Sequence, residues 1–404
     1  MSTSLLYHGF GIKGYKHVHA RYEGGTVIFK ICQDKHDFRC CHCGGRKVIR
    51  KGTVERRFRC LPIGGKPVWV VLAVQRILCL ACQAVRQVAL DFADARRSYA
   101  RAFERYVVEL SRHMTIEDVS RHLGIGWDMA KDIQKRNLKR HFSKPRLTGL
   151  KYIAIDEISV RKGHRYLTVV QNLITGEAVF IGDGKGADAL TPFWDRLKKC
   201  KNKIRAVAID MSPAYISAVM DNLPKAAIVF DHFHVVKLFN EKLSDLRRQV
   251  YKTTTERLHK KVIKGTRWLL LKNLENLDAG KNEPQRLQEA LEINQVLAIA
   301  YYLKEALRHL WRQRNKSDAS SWLQAWVNQA LNSKIPILMK FARTLAAHRT
   351  GILAYYDFPI SSGPLEGLNN KIKTMKRQAY GFRDMEFFKL KILAIHQAKY
   401  ALVG

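Results

Sequence analysis

The sequence predicts a multidomain α+β chain, and three observations carry that reading. Seven of the eight cysteines fall before residue 83, in a segment of short β-like runs such as GTVIFK and KPVWVVLAV. From about residue 98 the apolar spacing turns helical. From residue 150 apolar strand candidates alternate with helices, the pattern of a mixed sheet covered by helices. At 404 residues, 47% of them hydrophobic and 26% charged, the chain has apolar material for several cores, which excludes wholesale disorder.

Residues 1–95 form the first expected module. Cys40-x2-Cys43 and Cys79-x2-Cys82 repeat one spacing across 35 intervening residues that contain a plausible hairpin. Two residues between cysteines let both sulfurs of a tight turn reach one ion, and two such turns complete a tetrahedral zinc site. One Zn2+ per chain on Cys40, Cys43, Cys79 and Cys82 is therefore expected. Cys32, Cys41 and Cys60 are spare, and an exchange of Cys41 for Cys40 stays open. The bland alternative is a set of buried free thiols.

Residues 96–145 come next. Thr115 is placed to cap a helix carrying Ile116, Val119 and Leu123; Gly124 and Gly126 supply a turn, and a second helix starts near Trp127. That is the punctuation of a helix-turn-helix, whose second helix would offer Lys131, Gln134, Lys135 and Arg136 to phosphates or base edges. The alternative is an αα-hairpin with a solvated basic face. The segment KPRLTGL then reads as a linker.

Residues 150–235 carry the strands YIAID and AVAID, which end on Asp156 and Asp210. A carboxylate at the tip of a buried strand is costly to desolvate unless a cation meets it. Either aspartate alone reads as a turn or cap residue, but two at equivalent strand ends suggest a shared task. Glu157 should point to the opposite face of its strand. Residues 236–350 read as an all-helical insertion. Residues 351–404 return through FPISSGP to a helix bearing Glu366, followed by a last helix toward the C-terminus. On that first helix Glu366, Asn370, Lys373 and Arg377 share one face, while Leu365, Leu368, Ile372 and Met375 share the other. The bland reading of Glu366 is a first-turn acid favoured by the helix dipole.

Lys and Arg number 71 against 35 Asp and Glu, a formal charge of +36, which points to a polyanionic partner. No apolar stretch reaches the roughly 18 residues of a membrane span, and the N-terminus lacks the order of a signal peptide, so a cytoplasmic location is expected. Three converging acids, Asp156, Asp210 and Glu366, would repel one another unless divalent metal neutralised them. Two Mg2+ (or Mn2+) ions about 4 Å apart in such a site would support in-line attack on phosphorus.

On the motifs IAIDEISVRKGHRYLTVV, AIDMSPAY, IVFDHFHVVK and SGPLEGLNNKIKTMKRQAYGF, the sequence resembles the DDE transposases of bacterial insertion sequences, specifically the ISL3 group. The resemblance covers nearly the whole chain. It implies a zinc module, a helix-turn-helix and an RNase H-like core interrupted by a helical insertion. It also implies Asp156, Asp210 and Glu366 as catalytic, metal-binding acids, with Asp231 and His234 as secondary candidates. Trp268, Trp311, Trp322 and Trp326 of the insertion are core residues first and base-stacking candidates second. The implied function is binding of terminal inverted repeats in double-stranded DNA, metal-dependent strand cleavage and strand transfer into target DNA. A homodimer or larger synaptic complex, associated with the nucleoid, is expected. The rivals are a DNA-binding regulator on the same fold and an RNase H-like nuclease or resolvase.

Overall fold

A computed structural model describes residues 4–33, 38–161, 165–200 and 203–397. Residues 162–164 of the first quoted motif, and the end of the chain after 397, lie outside this description. The chain divides into two compact units, one of Met1–Lys144 with Thr374–Gly404 and one of Pro145–Lys373.

The first unit opens with a short helix α1 (Leu5–Phe10) and the strands β1 (Tyr15–Glu23), β2 (Thr26–Gln33), β3 (Val48–Ile63), β4 (Lys66–Cys79) and β5 (Ala84–Gln87). They make one sheet in the order β1-β2-β4-β3, with β5 also on β4. Alternation decides which face is buried: Val68, Val70, Leu72 and Val74 of β4 join Phe29, Ile31 and Phe58 in its core. Three helices follow, α2 (Arg101–Leu110), α3 (Ile116–Leu123) and α4 (Trp127–Phe142). Thr115 caps α3 as expected, accepting from the Asp118 N–H at 3.1 Å, and Ile116, Val119 and Leu123 are buried. Gly124 closes α3 at φ 59, a left-handed position that suits glycine.

The zinc module and the helix-turn-helix fall in one compact unit, tied by Arg59, whose buried guanidinium donates to the Leu123 carbonyl at 2.6 Å. The last helix, Met385–Ala394, expected in the catalytic core, packs in this unit instead. Phe387, Leu390 and Ala394 share a core with Phe103, Val107, Val119 and Ile133. An apolar helix joins whichever open face it reaches, and the α2–α4 bundle supplies one.

The second unit contains β6 (Tyr152–Arg161), β7 (Arg165–Asn172), β8 (Ala178–Asp183), α5 (Thr191–Lys198), β9 (Ala206–Ile209), α6 (Pro213–Asn222) and β10 (Ala227–Phe230). Its sheet has the order β10-β9-β6-β7-β8. β6, β7 and β8 pair antiparallel, whereas β6, β9 and β10 run parallel. A long helix α7 (His232–Thr253) leaves β10 and begins the insertion. That insertion continues through α8 (Arg257–Gly265), α9 (Arg267–Leu271), α10 (Glu283–Ile293), α11 (Gln295–Arg308), α12 (Lys316–Asn332), α13 (Pro336–Ala347) and α14 (Arg349–Leu353). Val235, Phe239 and Leu243 of α7 carry the sheet core into the insertion without a break. Gly351 sits where a Cβ would lie 2.4 Å from the Phe230 ring, so only glycine lets α14 approach the end of β10. The chain returns in α15 (Gly363–Gln378) and ends its described structure with α16 (Met385–Ala394).

Candidate active site and metal centre

In the first unit, Cys40, Cys43, Cys79 and Cys82 place their sulfur atoms within 4.8 Å of one another, the one such group of His, Cys, Asp or Glu among the described residues. The knuckle at Cys40 is closed by its N–H to the Gly45 carbonyl and the Gly44 N–H to the Cys40 carbonyl, both 2.9 Å. Gly45 leaves room for the sulfurs, since a Cβ there would lie 3.2 Å from Cys43 Sγ. Backbone N–H groups at Cys43 and His42 pull the Cys40 thiol down to about 6, toward the thiolate that a metal takes. Four soft sulfurs in this arrangement suit zinc. The exchange left open above resolves in favour of Cys40, because Cys41 lies exposed outside the group. Cys60 is buried in the β core, where desolvation pushes its thiol up to about 12.

In the second unit, strand register aligns three carboxylates. β6 and β9 pair Ala154 with Ala208, so Asp156 and Asp210 each lie two residues further along. β10 and β9 pair Phe230 with Ile209, which sets Asp231 beside Asp210. Asp231 is buried and caps α7. Burial raises the Asp156 carboxyl above the usual range, against the Glu157 N–H, which donates to it at 2.7 Å, and the charge of His234. Asp210 Oδ1 accepts from the Ser212 N–H at 3.0 Å. Asp231 behaves differently. Burial would raise it, but His234 Nδ1 at 3.0 Å and the Ser362 hydroxyl at 2.5 Å hold it below the usual range. His234, on the first turn of α7, is in turn raised above its ordinary value, first by its hydrogen bond with Asp231, against burial, and then by the charges of Asp156, Asp231 and Asp210. Glu157 lies on the other side of β6, where it accepts from Tyr215 at 3.3 Å.

α15 keeps the expected apolar face: Leu365, Leu368, Ile372 and Met375 are all buried. Glu366, Asn370, Lys373 and Arg377 are exposed. Among the described residues Asp156, Asp210 and Glu366 do not form a group with ligand atoms all within 4.8 Å, so the convergence expected of the three acids is not drawn in this structure. The residue that links α15 to the acids is Asn369. It is 5% exposed, and its amide donates to Asp156 Oδ2 at 2.8 Å, one turn beyond Glu366. Sequence reasoning passed over it for Asn370; the signal was the Asn-Asn pair at one helical turn from an acid. The oxygen-only donor set, with one carboxylate desolvated, fits a hard divalent cation.

The helix-turn-helix residues are engaged within their own unit. Gln134 is 1% exposed. Lys131 and Lys135 reach Asp384 at 3.2 and 2.9 Å, and Lys135 and Lys139 reach Glu386 at 2.8 and 2.7 Å. Arg136 meets Asp94 at 2.6 Å and Tyr99 at 2.8 Å. Of the insertion tryptophans, Trp326 is buried and donates to the Leu303 carbonyl, and Trp322 donates to that of Ala306. Trp311 packs 5.7 Å from the His232 ring, while Trp268 is 66% exposed.

A cysteine-knuckle module, a helix-turn-helix and acids aligned on neighbouring strands define a nucleic-acid-processing protein, and comparison with known families gives its kind. Residues 153–392 match the ISL3 transposase family, residues 88–136 the helix-turn-helix domain of transposase family ISL3, and residues 36–82 the zinc-finger of transposase IS204/IS1001/IS1096/IS1165. The chain therefore belongs to the ISL3 transposase family: it is a DNA transposase with a zinc ribbon, a helix-turn-helix and a DDE domain. It is 34% identical to the transposase of insertion sequence element IS1001 from Bordetella parapertussis over 88% of each chain. The IS1557 transposase of Mycobacterium tuberculosis is 28% identical over 89% of this chain and 86% of its own. A Drosophila P element transposase strand transfer complex aligns at a TM-score of 0.36 and 10% identity, covering 62% of this chain and 78% of that one, too low to carry an argument. Among the described residues no helix is long and apolar enough to cross a membrane.

Proposed function

We propose that Asp156, Asp210 and Glu366 are the catalytic acids of this transposase and hold two magnesium ions between them. The observation that carries this is the Asn369 hydrogen bond, which ties the helix of Glu366 to the carboxylate of Asp156. Asp156 and Asp210 each lie two residues past the last paired positions of β6 and β9, and Glu366 lies in the first turn of α15, three residues before Asn369. Magnesium, when bound, supplies activation of the attacking oxygen and neutralises charge on the leaving one. The protein's own part is to orient these acids: the Glu157 N–H and Asn369 fix the two oxygens of Asp156, and the Ser212 N–H fixes one of Asp210. Asp231, already satisfied by His234 and Ser362, orients His234 toward the site and is a secondary ligand candidate.

The substrate is DNA bearing the terminal inverted repeats of the element, and the freed 3′ end attacks target DNA. Both ends must be held together, so the active form is a dimer or larger, working on the nucleoid in the cytoplasm. The second helix of the helix-turn-helix contacts the repeat. Its lysines are held by partly exposed ion pairs of low worth, which phosphates can displace. Asn370, Lys373 and Arg377 are exposed on α15 and suit phosphate contacts.

The test is Glu366→Gln, scored for repeat binding and for magnesium-dependent end cleavage. Binding should stay nearly intact while cleavage is abolished. Equal loss of both would make Glu366 structural and end the proposal.

A further inference from the structure

Between Glu366 and Asp384 the chain carries Lys371, Lys373, Lys376, Arg377 and Arg383 and no acid. At the end of α15 this basic stretch turns through Tyr380, which is 100% exposed, and no other large apolar or aromatic side chain among the described residues is as open. The turn is well defined. The Gly381 N–H donates to the Lys376 carbonyl at 2.9 Å and the Tyr380 N–H to that of Arg377 at 3.1 Å, the double closure that normally places glycine at the left-handed position. Here Tyr380 occupies that position, at φ 50, with Gly381 following at φ 100. A bulky side chain at positive φ is disfavoured against glycine. Phe382 then anchors the turn, stacked on Phe388 at 4.5 Å and 23°. An aromatic ring is thus displayed on a hydrogen-bonded turn, at a positive φ, with exposed Arg377 and Arg383 on either side in sequence. Its fold would be served as well or better by glycine, so packing does not account for it.

We propose that Tyr380 is a DNA-stacking residue: its ring packs on a base left unpaired in the bound DNA, while Arg377 and Arg383 hold the neighbouring phosphates. The inference rests on the assignment as a DNA transposase. Ring-on-base stacking is tolerant of sequence, and cationic flanks on a turn without acids match the charge of the backbone. The nearest acid, Asp384, is already consumed by Lys131 and Lys135.

The experiment compares the full-length wild type with Tyr380→Gly and Tyr380→Trp, using two 30-base-pair duplexes of one sequence. One duplex is fully paired; the other carries a single unpaired 2-aminopurine. Wild type should bind the second duplex and quench its fluorescence. Tyr380→Gly should bind it about ten-fold more weakly, with quenching lost, while melting no lower than wild type. Tyr380→Trp should restore both. Wild-type binding to the paired duplex checks the DNA-binding assignment separately. Undiminished affinity and quenching in Tyr380→Gly would overturn the proposal, as would a loss of affinity that tracks a lowered melting temperature.

Discussion

Replacement of Asn369 by alanine is the sharpest perturbation of the candidate site. The Asn369 amide donates to Asp156 Oδ2 at 2.8 Å from a side chain that is 5% exposed, so the bond joins a neutral donor to a carboxylate shielded from water. A hydrogen bond to a charged group contributes about 1.5–3 kcal/mol when its loss leaves the partner unsatisfied. Burial already disfavours the charged form of Asp156, and the Glu157 N–H satisfies only its other oxygen. Losing Asn369 should therefore weaken both the orientation of Asp156 and its hold on a divalent cation. If that energy is expressed in the reactive complex, end cleavage falls by roughly 10- to 100-fold. The assay is cleavage of labelled terminal-repeat DNA across a magnesium titration, with repeat binding and thermal melting measured in parallel. The expected result is a lower rate, an apparent magnesium requirement shifted to higher concentration, and unchanged DNA affinity. A rate and magnesium dependence like those of the wild type would refute the reasoning. So would a loss wholly matched by unfolding.

Two further outcomes follow from charges in the first unit. Asp384 is held down to about 2: burial opposes this, but the Phe387 N–H and Lys135 with Lys131 outweigh it. Asp384→Asn should keep the helix cap while releasing Lys131 and leaving Lys135 held by Glu386 alone. DNA binding should tighten by a few-fold, and its salt dependence should steepen by about 0.9 per phosphate gained; a weaker complex with an unchanged salt slope would show that the pairs only support the fold. Lys391 is buried between Phe382 and Phe387, and desolvation lowers its ammonium to about 8. A base with a depressed folded value penalises the native state while charged. Wild-type stability should thus rise as pH increases from about 8 toward the ordinary lysine range near 10.4, and Lys391→Met should flatten that rise in unfolding titrations.

Part of this protein is written locally in its sequence. Cysteine spacing sets the sulfur quartet because two residues of turn bring two thiols together regardless of the rest of the chain. The Thr115 cap, the Gly124 turn and the buried face of α15 follow from periods of a few residues, and all stand where those periods put them. The apolar runs before Asp156 and Asp210, however, do not end alike: β9 stops at Ile209, before Asp210, but β6 runs on to Arg161 because its pairing with β7 continues through Asp156 and Val169, so Asp156 sits inside its strand at the point where only the β9 ladder has ended. Other features needed the folded chain, because their partners are distant in sequence and no local period relates them. Lys135 meets Asp384 across 249 positions, which turns expected DNA contacts into internal ion pairs. Asn369 meets Asp156 across 213, and helical spacing alone could not tell which of two adjacent asparagines would reach that carboxylate. The last helix joins the α2–α4 bundle rather than the catalytic sheet, since burial of Phe387 and Leu390 is satisfied by any complementary apolar face, and only tertiary packing selects one.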